Sequence, residues 1–287
     1  MHFKFVASNR FRVAPHCPCG KNNRDGKFSP IILDGIPDPT FGHCHSCGQS
    51  FFPNAAAKEN LAGPVLISAS PKLARTIATG LVKQTLKSYH HNNFALWLQA
   101  RYPTTADYLL QYFSIGTTKA GGTIFWYQDK AGNYRKPKRI YYKPDGHRVK
   151  ASEDEAKSKP SPLVFTNQAG YEYCLFGEFQ LAQYPATAKI VMVESEKSAL
   201  IGHVHFPDFI WLATGGAVSL KKERAAVLQG RKVLIIPDMH QTGRDGALRM
   251  QVILKSVGAR TRIIDMDKDR QDGDDIADIL IRRAEIR

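Results

Sequence analysis

The last hundred residues constrain the fold most, because short apolar runs alternate there with stretches of helical spacing. Lys189-Ile-Val-Met-Val193, Phe209-Ile-Trp-Leu-Ala213, Lys232-Val-Leu-Ile-Ile236 and Arg260 to Ile264 read as strands. Residues 196–204, 219–228, 245–257 and 275–283 between and after them read as helices. Apolar runs without polar alternation suit strands covered on both faces, and a helix between successive strands makes the sheet parallel. The expected fold class is α/β, with a parallel sheet carrying helices on both faces over residues 186–287.

In such a sheet functional groups gather just beyond the carboxyl ends of the strands. Those positions hold Glu194, Gly215-Gly216, Asp238, and Asp265 with Asp267. Any one of these acids alone reads most simply as a helix cap or a solvated loop. The set, in this order, predicts a site for a hard divalent cation that takes oxygen ligands and shares its shell with phosphate.

The front of the chain follows different rules. Residues 1–54 are rich in Cys, His, Gly and Pro with few periodic apolar positions, so they need a metal to fold. Four of the five cysteines, Cys17, Cys19, Cys44 and Cys47, fall within 31 residues. Cys44-x-x-Cys47-Gly has the spacing that lets two thiolates chelate one Zn²⁺. Cys17-x-Cys19 is tighter, and His16 is the alternative ligand because His16-x-x-Cys19 restores the two-residue gap. His43 and His45 are expected to face solvent or phosphate. A closed tetrahedral zinc site is structural and does no chemistry. Cys174 is expected to be a small buried hydrophobe.

This divides the chain into a zinc ribbon (1–54), a linker (55–71), a mixed α+β middle region (72–185) and the parallel sheet (186–287). In the middle, Leu73 to Tyr89 and Asn93 to Tyr102 have helical spacing, and Thr104 or Thr105 could cap a further helix through Tyr112. Strands follow from Thr123, with turns at 129–133 and 144–146, and 152–162 is a charged loop. The strands interleave Phe125, Trp126, Tyr127, Tyr134, Tyr141 and Tyr142 with Arg135, Lys136, Lys138, Arg139, Lys143, Arg148 and Lys150. Aromatic faces stacking unpaired bases beside backbone-holding cations are the pattern of single-strand binding. Arg135, Lys136, Lys138, Arg139 and Trp126 are the nucleic-acid-binding candidates. The plainer reading is that strands are ordinarily aromatic and that lysines at their edges deter aggregation.

Formal net charge is +14, and it is unevenly spread. Residues 188–287 hold 17 Lys/Arg against 14 Asp/Glu, leaving 23 against 12 in residues 1–187. A basic front and an acid-studded back suit a protein that grips phosphate in front and metal behind, although solubility alone also accounts for the excess. No apolar run approaches the roughly 20 residues that span a bilayer. The residues after Met1 do not read as a secretory leader. A cytoplasmic protein without membrane contact is expected.

Val193-Glu194-Ser195-Glu196-Lys197-Ser198-Ala199 resembles the signature of the TOPRIM family, a strand followed by Glu-Gly-x-x-Asp-Ala. Leu212-Ala-Thr-Gly-Gly216 resembles that family's second strand and glycine turn. Ile235-Ile-Pro-Asp238-Met-His240-Gln-Thr-Gly243 resembles its Asp-x-Asp-x-x-Gly motif. Asp272-Gly-Asp274-Asp275-Ile-Ala-Asp278 is similar to the acidic patch that closes many primase-type TOPRIM domains. The resemblance covers about residues 186–285. It implies Glu194 as the acid/base group and Asp238 as principal metal ligand, with Mg²⁺ or Mn²⁺ held by Glu194, Glu196, Asp238, His240 and Asp265. Gly215, Gly216 and Lys197 would serve the turn and the phosphate.

Ser195 stands where the family has glycine, and His240 where it has its second aspartate. Neutral imidazole suits manganese, zinc or iron better than magnesium. Three outcomes are open: the site favours manganese, Glu196, Asp245 or Asp265 replaces the acid, or the site is catalytically degenerate. A zinc ribbon ahead of a TOPRIM domain resembles the layout of bacterial and phage DNA primases. Phe176-Gly-Glu-Phe and Phe209 to Gly216 resemble primase-like proteins of bacterial mobile elements. The implied function is metal-dependent synthesis of an RNA primer from nucleoside triphosphates on single-stranded DNA. No Gly-x-x-x-x-Gly-Lys-Ser/Thr motif is present, so a replicative helicase would be a separate partner. The alternatives are a TOPRIM nuclease and a non-catalytic replication accessory protein; a chain this short argues against a topoisomerase.

Overall fold

The computed structural model describes residues 4–33, 36–46, 48–51, 75–149, 170–217 and 219–285. The chain divides into two compact units, Met1–Ser70 and Pro71–Arg287. Cys47, the whole of the 55–71 linker region, Lys150 and the 152–162 loop lie outside the described residues.

The first unit is a four-stranded antiparallel sheet in sequence order: β1 (Lys4–Phe5), β2 (Phe28–Leu33), β3 (Ile36–Cys44) and β4 (Ser50–Phe51). One short helix, α1 (Arg10–Val13), follows β1. Its core consists of Ala14, Cys17, Phe28 and Cys44, with Cys19 and Phe51 packed against them. Half of that core is thiol. So little apolar area cannot offset the chain entropy of about 1–2 kcal/mol per ordered residue, which is why a unit of this kind needs a cross-link or a metal.

The second unit opens with helices α2 (Thr79–Lys83), α3 (Asn93–Arg101) and α4 (Ala106–Tyr112). Of the expected helix over 73–89, the described residues form α2, which starts after the extended Ala78, and a 3₁₀ turn at Tyr89–His91, set apart by a left-handed Ser88 (φ 58°) that a helix cannot continue through. Asn92 caps α3, its side chain accepting from the N–H groups of Phe94 and Ala95. An antiparallel sheet of β5 (Ile115–Thr117), β6 (Thr123–Phe125) and β7 (Lys138–Ile140) follows.

After helix α5 (Gln180–Gln183) come β8 (Ile190–Val193), α6 (Glu196–His205), β9 (Ile210–Ala213), α7 (Lys222–Ala225), β10 (Lys232–Ile235), α8 (Gln241–Ser256), β11 (Arg260–Ile263) and α9 (Ile276–Glu285). The four strands form a wholly parallel sheet in the order β11-β10-β8-β9. Pleating sends Ile190, Met192, Ile210, Leu212, Val233 and Ile235 to one face, in one cluster with Ala247, Met250 and Leu254 of α8. Val191, Val193, Trp211 and Ala213 face the other way, among Ala199, Leu200 and Ile201 of α6 and Ile276, Ala277 and Leu280 of α9. That second cluster also takes in Phe94, Leu98, Phe125 and Tyr127, so the middle region and the parallel sheet share a core.

The α8 helix starts four residues before the expected Asp245, despite Gly243 and Gly246, because both glycines are buried where α8 approaches its neighbours most closely. Among the described residues no helix is long and apolar enough to cross a membrane.

Candidate functional site

The strand order decides which acids can meet. β8 and β10 are adjacent, so Glu194 and Asp238, each just beyond a carboxyl end, are brought to the same edge. Gly243 fixes the second position: a Cβ there would lie 2.5 Å from the Asp238 carbonyl oxygen and 3.0 Å from its Cβ. Only glycine lets the first turn of α8 settle this close to Asp238. On the β8 side, Ser195 caps α6 by accepting from the Ser198 N–H at 3.0 Å. The serine found in place of glycine thus acts as the helix N-cap.

The acidic patch then folds back onto this edge. The Met239 N–H donates to the Asp274 carbonyl at 2.7 Å, and the Gly273 N–H donates to the Met239 carbonyl at 3.2 Å. This brings Asp275 and Asp278 to the site. Asp275 accepts from the Ser198 hydroxyl at 2.5 Å, and Asp278 lies 3.4 Å from Lys197 Nζ. Glu194, Ser195, Glu196, Lys197, Gly215, Gly216, Asp275, Asp278, Lys138 and Arg148 all line one cleft of about 220 Å³.

The electrostatics follow from that crowding. Burial, reinforced by the charges of Glu194, Asp275 and Asp278, pushes the Asp238 carboxyl up to about 8. Burial also raises Glu194, against a hydrogen bond from the Ala217 backbone and the nearby His240 and Lys138, and raises Asp275, where Asp278 adds to it. Carboxyls raised together by burial, and at Asp238 and Asp275 also by neighbouring carboxylates, make a site that a cation would relieve.

Not every expected ligand is available. Glu196, 1% exposed, is held by Lys138 Nζ at 3.0 Å to both oxygens and by the Tyr127 hydroxyl. Asp265 pairs with Arg244 at 2.9 Å, and Asp245 accepts from Gln241 at 2.8 Å. The groups whose charge acts on Asp238 are Glu194, Asp275 and Asp278 instead. His240 is the N-cap of α8, and its Nδ1 is buried without a partner among the described residues.

A divalent cation fits this donor set in one manner. No three of these carboxylates and His240 bring ligand atoms within 4.8 Å of one another. The cleft is therefore no closed protein cage. It suits an ion such as Mg²⁺ or Mn²⁺ that is held through one or two carboxylates, keeps waters and shares its shell with phosphate.

Lys138 Nζ also donates to the Gly215 carbonyl at 2.8 Å, so this lysine stands at the cleft rather than on an open strand. Gly215 takes φ +80°, and a Cβ there would lie 2.6 Å from the Tyr127 hydroxyl. Arg135 is paired with Asp129 at 2.7 Å. Lys136 lies over the Tyr173 ring and Arg139 over the Tyr141 ring. Trp126 corrects the stacking expectation: it is 1% exposed, and its indole N–H donates to the Thr85 hydroxyl at 2.8 Å. Phe125, Tyr127 and Tyr142 are buried with it and build core, while Tyr134 and Tyr141 are half-buried.

In the first unit, Cys17, Cys19 and Cys44 bring their sulfurs within 4.8 Å of one another, a group of three that could hold a metal ion. Zn–S bonds of about 2.3 Å in a tetrahedron set sulfurs about 3.8 Å apart, so the donor set fits zinc. Burial and the neighbouring Cys19 and Cys44 push the Cys17 thiol well up, a cost that a bound cation removes. His16 is exposed and outside this group; its backbone pairs with Asn22. His43 stacks edge-on against His45, and its Nδ1 lies 2.8 Å from the Ser50 hydroxyl. Cys174 is buried.

Asp275 and Asp278 are the residues that strand-end reasoning passed over. Their signal was the acidic patch itself, but its return to Met239 is a tertiary event with no local pattern.

A family model described as a domain of unknown function, DUF6371, matches residues 92–239. No curated protein matches the chain. Among solved structures, it is similar to a DNA primase domain from Pseudomonas aeruginosa, at 16% identity over 71% of this chain and 73% of that one, with a TM-score of 0.49. It is similar to the primase fragment of the bacteriophage T7 primase-helicase protein at 16% identity over 99% and 98%, with a TM-score of 0.43. The zinc-binding and RNA polymerase domains of the Aquifex aeolicus primase are similar at 13% identity over 91% and 78%, with a TM-score of 0.48.

Proposed function

This chain belongs to the DUF6371 family, and we propose that it is a primase-like protein that joins ribonucleotides into a primer on single-stranded DNA at a TOPRIM-type acidic cleft. The observation that carries this reading is the meeting of Glu194 and Asp238 just beyond adjacent parallel strands, with Asp238 driven to about 8 by burial and, after it, by the surrounding carboxylates. Residues 1–54 would be the structural zinc module and residues 186–287 the catalytic sheet, with the basic region 72–185 beside it. Nucleoside triphosphates are the proposed substrates, a separate replicative helicase the proposed partner, and replication of a phage or mobile element the proposed setting.

In this reaction the 3′-oxygen of one ribonucleotide bonds to the α-phosphorus of the next, and the bond to the pyrophosphate leaving group breaks. Glu194, whose proton affinity is raised, takes the proton of the attacking hydroxyl. Asp238 would hold a divalent cation, which supplies charge neutralisation at the phosphates. Lys138, fixed by Glu196 and the Gly215 carbonyl, and Lys197, beside Asp278, present cations to the same phosphates.

Incubating the protein with single-stranded DNA, nucleoside triphosphates and Mg²⁺ or Mn²⁺ tests the assignment. Primase activity makes short ribonucleotide products, whereas a nuclease of the same fold shortens the DNA. A second reading, a DNA-binding replication accessory protein, is favoured by the imidazole at position 240, where a catalytic site of this type would carry a carboxylate. It predicts binding with neither product.

A further inference from the structure

Parallel strands are normally covered on both faces. Among the described residues, the β10–β11 pair is covered on one face alone. Val233 and Ile235 point into the cluster formed with α8, and Ile263 packs against it. On the opposite face α6 packs over β8 and β9, with α9 beside α6. The alternate residues of the pair are therefore left at a surface trough of about 250 Å³, lined by Lys232, Leu234, Arg260 and Arg262 together with the strand backbone at 233 and 261.

The register places these groups in a compact array. Lys232 is paired with Arg260, and Leu234 with Arg262. Neighbouring strands lie about 4.8 Å apart, and alternate residues along a strand about 7 Å apart. Three cations thus surround one half-buried leucine. All three are exposed, and no carboxylate lines the trough. Among the described residues neither Lys232 nor Arg262 has an ion pair, and Arg260 makes one long hydrogen bond, to the Gly230 carbonyl at 3.4 Å. Elsewhere in this unit Arg244, Arg270 and Arg282 are each paired with an aspartate.

We propose that this trough binds a strand of single-stranded nucleic acid, with Lys232, Arg260 and Arg262 on successive phosphates and sugar or base lying over Leu234. The complementarity has two parts. The rim is purely cationic, as a polyanion requires, and the floor is built from Leu234 and the aliphatic stems of the cations, which a fully hydrated anion would not need. The strands point from the trough toward Glu194 and Asp238 at their carboxyl ends. A strand held here would lie outside the cleft but on the same sheet, acting as a hold on nucleic acid remote from the chemistry. This inference rests on the reading of the protein as one that acts on nucleic acid.

The test is binding of a fluorescent oligo(dT) to the full chain and to the Lys232→Ala, Arg260→Ala, Arg262→Ala variant, followed across a range of KCl. Each phosphate contact contributes about 0.7 to the logarithmic salt slope of single-strand binding. Losing three flattens the slope by about 2 and weakens binding about a hundredfold at 0.1 M salt. The three side chains are exposed, so the variant should fold; a melting temperature matching wild type verifies that. A photo-crosslinking residue in place of Leu234 should label the oligonucleotide. Slope and affinity indistinguishable from wild type, with no crosslink, overturn the trough while leaving the cleft's function standing. Displacement of polyglutamate by the triple change, with oligonucleotide binding intact, also overturns it and marks an acidic protein partner. Failure of wild type to bind any oligonucleotide overturns both this inference and the reading on which it rests.

Discussion

Replacing Asp238 with asparagine should make the protein, without Mg²⁺ or Mn²⁺, more stable at alkaline pH and remove its response to these cations. Burial and three neighbouring carboxylates raise the Asp238 carboxyl from 3.8 to about 8. An acid raised in this way binds its proton more tightly folded than unfolded, so its stabilising effect is complete below pH 3.8 and is lost as pH climbs toward 8. Between these limits the loss is about 1.36 kcal/mol per pH unit, at most about 4 kcal/mol from pH 5 to pH 8. For a unit of this size each kcal/mol moves the melting temperature roughly 2–4 °C, giving a ceiling of about 8–16 °C.

The assay is thermal unfolding followed by circular dichroism from pH 5 to 8, with zinc retained. Glu194 and Asp275 are raised too and contribute in the same direction, so the quantity that isolates Asp238 is the difference between wild type and Asp238→Asn. That difference should grow with pH in favour of the variant. Millimolar Mn²⁺ should restore wild type at pH 8 and leave the variant unchanged, since only a native state that binds the ion is stabilised by it. A wild type and variant whose melting temperatures run parallel across the range would refute the claim that burial and neighbouring carboxylates raise Asp238.

Three further outcomes are expected. Cys44→Ser should release zinc and unfold the first unit, leaving the second unit's transition in place; elemental analysis with limited proteolysis checks this, and undiminished zinc content contradicts it. Lys138→Met and Glu196→Gln should each destabilise the second unit by about 3–5 kcal/mol, because each breaks a buried pair, while the double variant regains most of the loss. Additive denaturation midpoints would show that the two side chains are not coupled. His240→Asp should tighten Mg²⁺ relative to Mn²⁺ in calorimetric titration, since a hard cation gains more from carboxylate than from imidazole; an unchanged ratio places His240 outside the ion's reach.

The sequence made some of this legible and hid the rest for definable reasons. The central strands of the parallel sheet could be read because β8 and β9 are continuous apolar runs, a pattern produced by burial on both faces, whereas β10 and β11 carry Lys232, Arg260 and Arg262 on an exposed face. The gathering of Cys17, Cys19 and Cys44 could be read because chelation needs clustered thiols, and these three lie together in space, with Cys47 outside the described residues. The aromatic hairpin misled because alternation with lysine and arginine looks alike whether the rings face bases or core; Trp126 is buried through contacts with Thr85, far away in sequence. Asp265 and Glu196 stand where strand-end ligands belong, but Arg244 and Lys138 occupy them, and no local pattern announces an ion pair between residues 21 or 58 positions apart. Asp275 and Asp278 reach the site only because the loop before them bonds back to Met239.

The central claim is that metal-assisted phosphoryl transfer takes place between Glu194 and Asp238. The most direct measurement is incorporation of labelled ribonucleotides on single-stranded DNA, with Mg²⁺ and with Mn²⁺, by wild type, Glu194→Gln and Asp238→Asn, each checked for native folding. Metal-dependent primer synthesis by wild type, lost in both folded variants, is the predicted result. Primer synthesis that survives Asp238→Asn, or none by wild type with either metal, would contradict the account.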